Sequence, residues 1–392
     1  MPSQNVTVTP LGSFRATVAA NKNGADGFFY MICSIFIFMM QLGFGLLEAG
    51  TVRSKNVKTV LLKNTLDLSV SAIFWYLIGH SLSGAAGEYG GVLAAATSIL
   101  NETANVSTGP PSPQPPLVLN VHGNYSPENK DISQFVLLYG FLATAGTIAS
   151  GAVLARMNIY AYVTLTILMA VWIYPVGTFW MWNDSGWLYQ LGAIDNAGGA
   201  VVHVVGGSMA LVACYVSGPR HGRYMRVSGK WIDMGIEPHN VVLQTMGCML
   251  LYIGWLAFNS SSLYADGSIG LVQVAMRNTL LAGSAGFVTT FIYKHLGKKP
   301  MYPKQRKFLV PALTGSLAGL AGVTSNCGVT SGWAAILIGM ICALACVKSS
   351  ELLGRWRIDD PVDAIGVHLV AGSLGTILTG LFATPDAGGI LR

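Results

Sequence analysis

The chain has 392 residues, of which 52% are hydrophobic and only 10% charged, with a formal net charge of +6. A soluble domain carries about 25% charged residues, so this composition excludes water as the main solvent. The positive balance does not point to nucleic acid, because the basic residues are confined to short loops between long apolar stretches.

In chain order, residues 1–27 are polar, show no secretory signal peptide and are read as an extracellular N-terminal segment. Ten windows then have the length of about 20 apolar residues that a bilayer core requires: 28–49, 60–81, 133–154, 159–180, 197–217, 240–260, 269–293, 308–324, 331–349 and 362–383. Each run is continuously apolar without alternation, so the prediction is an all-α polytopic membrane protein rather than a β-barrel. The windows group as a first set of five helices over 28–217, a cytoplasmic connection over 218–239, a second set of five over 240–384 and a short end over 385–392. The six cysteines lie in or beside these windows, so no disulfide framework is implied.

Loop charge orients the bundle. Most of the 23 Lys and Arg residues fall in alternate loops, with Arg53, Lys55 and Lys58 in the first, Arg220, Arg223, Arg226 and Lys230 in the middle one, and Lys298, Lys299, Lys304, Arg306 and Lys307 further on. The positive-inside rule makes these loops cytoplasmic and places the N-terminus outside. The one long loop, 84–131, is then extracellular. It holds a proline-rich stretch and Asn-X-Ser/Thr sequons at Asn101, Asn105 and Asn124, and another sequon lies at Asn5. Glycosylation needs that side, and the agreement favours a multi-pass protein of the plasma membrane.

An internal repeat marks the candidate site. Residues 195–208, DNAGGAVVHVVGGS, align with 360–373, DPVDAIGVHLVAGS: each runs Asp, seven residues, His, then an apolar residue, Val, a small residue, Gly and Ser. These are the fifth and tenth windows. Five helices per repeat is an odd number, so the halves insert with opposite orientation, and such inverted repeats hold their substrate path at the interface near the midplane. His203 and His368 are therefore expected to meet. A histidine bonded to a neighbouring carbonyl is the bland alternative for either one alone, but an ionisable group inside a span is usually functional and here it recurs in both halves. Haem ligation would need room that the flanking Gly and Ala residues deny.

At these residues the chain resembles the ammonium transporter (Amt/MEP/Rh) family, in its Amt branch, over about 28–384. The motifs are Leu46-Leu47-Glu48-Ala49-Gly50 with Arg53-Ser54-Lys55-Asn56, Asp195-Asn196-Ala197-Gly198-Gly199 with Val202-His203, Pro238-His239-Asn240, Gly254-Trp255-Leu256-Ala257-Phe258-Asn259, and Asp359-Asp360 leading to Gly366-Val367-His368. The resemblance implies a homotrimer in the lipid bilayer, each subunit with its own pore between inverted repeats. It implies His203 and His368 as the twin pore histidines, Phe141 and Phe258 as the outer gate, and Trp182 and Ser262 with Asp195 as the place where ammonium is recruited. Asp360 and Asp363 are read as caps of the tenth helix beside the inner vestibule. Glu48, Lys63 and Asp67 are read as ion-paired or interfacial, and Arg277 receives no role.

The implied function is transport of ammonium or ammonia, with methylammonium as an analogue, and the alternative is an ammonium sensor of the same fold. No metal-ligand spacing, nucleophile motif or phosphate loop points to an enzyme, and no cofactor is implied. Two features depart from the family pattern: Asn196 stands where phenylalanine is usual, and no counterpart of the family's eleventh helix is read before Arg392.

Overall fold

The computed structural model describes residues 10–84, 130–264, 269–296, 309–387 and 389. The sequons at Asn101, Asn105 and Asn124 lie outside them. Long helices occupy each of the ten apolar windows: α1 (Pro10–Thr51), α2 (Val57–Phe74, continued by a π turn at Trp75–Gly79), α3 (Lys130–Ala152), α4 (Ile159–Leu168, a π turn at Met169–Ile173, then Tyr174–Trp182) and α5 (a π segment Gly199–Val204, then Val205–Ser217). They continue with α6 (Val241–Ser261), α7 (Ile269–Leu296), α8 (Leu309–Thr324), α9 (Gly332–Arg355) and α10 (a π segment Ile365–Val370, then Ala371–Phe382).

Among the described residues, seven helices are long and apolar enough to cross a bilayer unaided. Those in α2, which carries Lys58, Lys63 and Asp67, and in α7, which carries Arg277 and Asn278, fall short of that standard, and α8 is shorter at 16 residues. These three are carried by their neighbours: Asn278 lies buried on α7, and its amide donates to the carbonyls of Cys327 and Thr330 at 2.8 Å each. Among the described residues Arg277 bonds its neighbour's side chain, Nε to Asn278 Oδ1 at 3.1 Å.

Two elements add secondary structure where the sequence reading assigned none. First, α1 begins at Pro10, so the polar stretch before Phe28 continues the first membrane helix. Its 42 residues span roughly 60 Å at 1.5 Å per residue, about twice a bilayer core of roughly 30 Å. Proline is well placed at such a start, since its missing N–H falls where helix donors are orphaned anyway. Second, the connection between α5 and α6 holds a hairpin, β1 (Tyr224–Val227) and β2 (Lys230–Asp233), paired antiparallel from Tyr224 opposite Asp233 to Val227 opposite Lys230. Its two-residue turn has Ser228 at φ 49° and Gly229 at φ 81°, the backbone of a type I′ turn.

Close helix crossings put the two halves together. α1 lies along α6, its equivalent in the other half, where a Cβ on Gly247 would stand 2.5 Å from Gly43 O and from Leu47 N. α5 crosses α10 in the same manner. A Cβ on Gly207 would meet Leu369 N at 2.3 Å, and one on Gly372 would meet Gly199 O at 2.9 Å and His203 Cβ at 3.1 Å. Gly207 and Gly372 occupy matching positions of the repeat, so the glycines shared by both halves are those that let their helices touch.

A buried ionic cluster ties three loops together at the end of the bundle where basic residues gather. Asp359, between α9 and α10, accepts from Arg220 three times: from the backbone N at 2.9 Å, from Nε at 2.7 Å and from Nη2 at 2.9 Å. Arg156, after α3, stands 3.5 Å away, and Arg223 stands 3.6 Å away. Burial pushes the Asp359 carboxyl up, but the Arg220 guanidinium and backbone bonds outweigh it and hold the group below its ordinary value of 3.8. Asp359→Asn leaves buried guanidinium charge uncompensated, a change that costs about 3–5 kcal/mol. The expected result is a clear fall in melting temperature in detergent, while Glu351→Gln at the exposed Lys348 pair changes it little. Because the folded value is depressed, the contribution is complete above pH 3.8 and disappears as the pH falls through the lower folded value. Wild type should therefore lose more stability than Asp359→Asn on acidification below about pH 4.

Candidate functional site

The fifth and tenth helices open with the same device. Asp195 sits before α5 and its carboxylate accepts four backbone N–H groups: Gly198 (2.9 Å) and Gly199 (2.7 Å) on Oδ1, Ala200 (2.8 Å) and Val201 (3.0 Å) on Oδ2. The chain can fold back over this carboxylate because Gly198 adopts φ 93°, which a side chain would resist. In the second half Asp360 Oδ2 accepts from Ile365 N at 2.7 Å. Asp195 to Ala200 and Asp360 to Ile365 are both five-residue steps, at equivalent positions of the repeat. Asp363 does not share the cap. It holds a left-handed backbone at φ 57°, and its carbonyl receives Val367 N at 2.8 Å.

Just beyond each cap the helix is wound as a π segment, and each π segment carries one of the two histidines. A π turn changes the angular position of everything after it and is frequent at functional sites. Here it accompanies imidazoles facing each other across the crossing. His203 Nδ1 and His368 Nδ1 are 3.2 Å apart, and the rings are 0% and 4% exposed. That separation is one N–H···N hydrogen bond, which leaves no room for a macrocycle between them. When both rings are neutral, one Nδ1 must donate and the other accept. The two Nε2 atoms are then of opposite kind, one an acceptor and one a donor. His203 Nε2 is buried without a hydrogen-bond partner among the described residues.

A column of aromatic rings continues from His203. Phe258 is stacked on it at 5.8 Å between centroids, Phe141 lies 4.2 Å from Phe258, and Trp182 lies 6.0 Å from Phe141. Phe141 and Phe258 are buried, whereas Trp182 is partly exposed. The Trp182 indole is held by Nε1 donating to the Asp195 carbonyl at 2.8 Å. Ser262 follows Phe258 by four residues at the end of α6, on the same helix face. Its Oγ is also buried without a hydrogen-bond partner among the described residues. Asp195 is thus beside this group through its backbone, while its carboxylate is engaged by the cap.

Trp255 received no role from sequence. It is fully buried, 4.9 Å from the His203 ring and parallel to the His368 ring (6.1 Å, 3°), with Nε1 donating to Thr324 Oγ1 at 3.0 Å. Its spacing from Phe258, three residues on one helix, was the available signal.

Glu48, Lys63 and Asp67 are not interfacial, and among the described residues no salt bridge joins them. They are 1%, 4% and 2% exposed. Lys63 Nζ donates to the Met157 carbonyl at 2.8 Å, and Asp67 accepts from Thr166 at 2.9 Å and Thr147 at 3.1 Å. Hydroxyl and carbonyl groups take the place of counter-ions.

These features define a multi-pass helical membrane protein with paired imidazoles at the crossing of its two halves. The sequence profile of the Ammonium Transporter Family matches residues 28–391, and the chain belongs to that family. It is 35% identical over 356 residues to ammonium transporter 3 of Dictyostelium discoideum, covering 89% of this chain and 74% of that protein. Its fold resembles a solved sensor Amt protein, with a TM-score of 0.77 and 27% identity over 95% of this chain and 85% of that one. The crystal structure of Saccharomyces cerevisiae Mep2 aligns with a TM-score of 0.71 and 25% identity over 93% of this chain and 75% of the other. The curated relatives are transporters, not enzymes.

Proposed function

We propose that the chain moves ammonium across a membrane by separating it into ammonia and a proton at the His203–His368 pair. The observation that carries this reading is the 3.2 Å contact between two buried imidazoles, one of which, His203, has an Nε2 without a hydrogen-bond partner among the described residues. A buried nitrogen left unsatisfied is costly, and ammonium can supply the missing donor. Recruitment is assigned to Trp182 and Ser262. The indole face attracts a compact cation, and the unpartnered Ser262 oxygen accepts one of its N–H bonds. Asp195 acts as a positioning residue, holding the Trp182 indole with its carbonyl and the start of α5 with its carboxylate. Phe141 and Phe258 form the outer gate, a dry constriction that a hydrated ion crosses poorly.

With His203 Nε2 as acceptor, His368 carries its hydrogen on Nε2. A proton taken by His203 Nε2 shifts the shared hydrogen to His368 Nδ1 and leaves the far Nε2–H free to depart. Asp360 supports the tenth helix, and Asp363 borders the inner vestibule. The same reading places the N-terminus outside the plasma membrane, glycans on Asn101, Asn105 and Asn124, and the working unit as a homotrimer.

A sensor role is the second reading, favoured by the likeness to the sensor Amt structure. Purified chain in proteoliposomes separates the two. A transporter accumulates labelled methylammonium, whereas a sensor binds ammonium without flux. Trp182→Leu removes a cation–π contact of about 1–2 kcal/mol, so half-saturation should rise roughly tenfold with maximal flux nearly retained. An unchanged half-saturation would withdraw Trp182 from recruitment.

A further inference from the structure

A small cavity lies against His368, with about 20 Å³ of space for the centre of a water-sized molecule. One water needs roughly 10–15 Å³ by that measure, so the cavity has room for one. Its walls include Phe44, Leu47, Gly151, Trp255 and His368, and its principal charged member is Glu48. Glu48 Oε1 is buried and has no hydrogen-bond partner among the described residues. This oxygen borders Gly151: a Cβ there would stand 3.4 Å from Oε1 and 2.8 Å from Val362 Cγ2, both on residues of the cavity wall. The other oxygen, Oε2, accepts from Ser150 at 3.4 Å, and Ser150 also reaches Asn64 Oδ1 at 3.3 Å.

Next to this acid, on the adjoining helix, Lys63 reaches the Met157 carbonyl in the turn between α3 and α4. Burying a carboxyl in a membrane helix is expensive and is rarely retained for packing. A partner-free oxygen beside a water-sized cavity is an acceptor lacking its donor.

We propose that Glu48 is the proton acceptor on the far side of the histidine pair, reached from His368 through one water in this cavity. The inference rests on the proposed function, since it needs a proton delivered at His203. The step balances. One proton enters His203 Nε2, the shared hydrogen passes to His368 Nδ1, and the His368 Nε2 proton goes to the water. The water gives one of its own protons to Glu48, a step that requires the carboxyl to be ionised when the proton arrives. Both imidazoles end neutral with exchanged tautomers, the water is unchanged, and Glu48 becomes a carboxylic acid that later releases the proton to inner water. Ammonia and proton then travel separately beyond the pair, the proton toward the Lys63–Met157 end of the bundle.

The test uses the full chain in proteoliposomes, recording ammonium-driven current and labelled methylammonium uptake in parallel. Glu48→Gln, which keeps shape and loses the titratable group, should lower charge moved per methylammonium at least tenfold, and Glu48→Asp should recover part of it. Gly151→Ala keeps the acid but fills the cavity beside it, and should lower the same ratio. It decides the matter if Glu48→Gln does not fold. A wild-type ratio in Glu48→Gln overturns the proposal, as does an equal loss of current and uptake in all three variants, which a packing role would give. If wild type itself shows neither current nor uptake but binds ammonium, the transport reading fails instead.

Discussion

His203→Ala should abolish proton-coupled ammonium transport, lowering current by at least about a hundredfold, the scale on which a positioned acid–base group contributes. The substitution removes Nε2, the buried nitrogen without a partner among the described residues, and leaves His368 Nδ1 without its 3.2 Å partner. It also opens space between Trp255 and Phe258, both of which lie against the His203 ring. One unsatisfied buried nitrogen costs about 1–3 kcal/mol, which such a helical bundle can absorb, so the variant should still purify as a folded protein. His368→Ala interrupts the same relay from the other side and should lose current to a similar extent. Asp363→Ala should do much less, because that residue does not share in the cap of the tenth helix. Solid-supported membrane currents with ammonium pulses give the measurement. Wild-type current in both histidine variants would falsify the relay and leave the pair as packing.

Much of this arrangement was legible before any coordinates, for physical reasons. Bilayer thickness imposes a length on each apolar run, so a helix lies under each of the ten windows, even though α2 and α7 carry polar groups and α8 is only 16 residues long. The repeated Asp, seven residues, His pattern was readable because each half needs the same local solution: a carboxylate to hold the first N–H groups of a helix, a π segment, an imidazole and a glycine at the crossing. What was not legible depends on three dimensions or on another length scale. A window of 20 residues passes over a hairpin built from four-residue strands around Ser228 and Gly229. The polar stretch from Pro10 looks like a tail, yet it continues α1. Trp255 within an apolar run reads as ordinary core until its ring is seen parallel to His368. Glu48, Lys63 and Asp67 invite an ion-pair reading by charge alone, whereas residues far away in sequence supply the partners: Ser150 for Glu48, Met157 for Lys63, and Thr147 and Thr166 for Asp67. The unpartnered oxygen of Glu48 has no sequence signature at all.

Phe258→Ala should turn a selective path into a leaky one, and more so than Phe141→Ala. Phe258 is fully buried and is the ring common to both parts of the column, 4.2 Å from Phe141 and 5.8 Å from His203. Phe141 touches Phe258 and Trp182 instead. Cutting a buried phenylalanine to alanine costs about 3–5 kcal/mol when the space cannot collapse. Here the void would join the partly exposed Trp182 end to the buried imidazoles, and water would fill it. An ion crossing a dry constriction loses its hydration, a penalty of tens of kcal/mol for a bare charge in an apolar medium. A wet constriction removes most of that barrier for potassium as well as for ammonium. Potassium leak should therefore rise at least tenfold in Phe258→Ala, with half-saturation for ammonium shifting by less than about twofold, since the cation–π contact at Trp182 is still made. In Phe141→Ala the ring over His203 remains, so leak should rise less while half-saturation shifts more, through the lost support of Trp182. The two variants are compared in one flux titration, with ammonium and potassium in competition. If Phe258→Ala moved half-saturation alone and left potassium excluded, Phe258 would belong to recruitment, and the barrier would have to lie at the histidines.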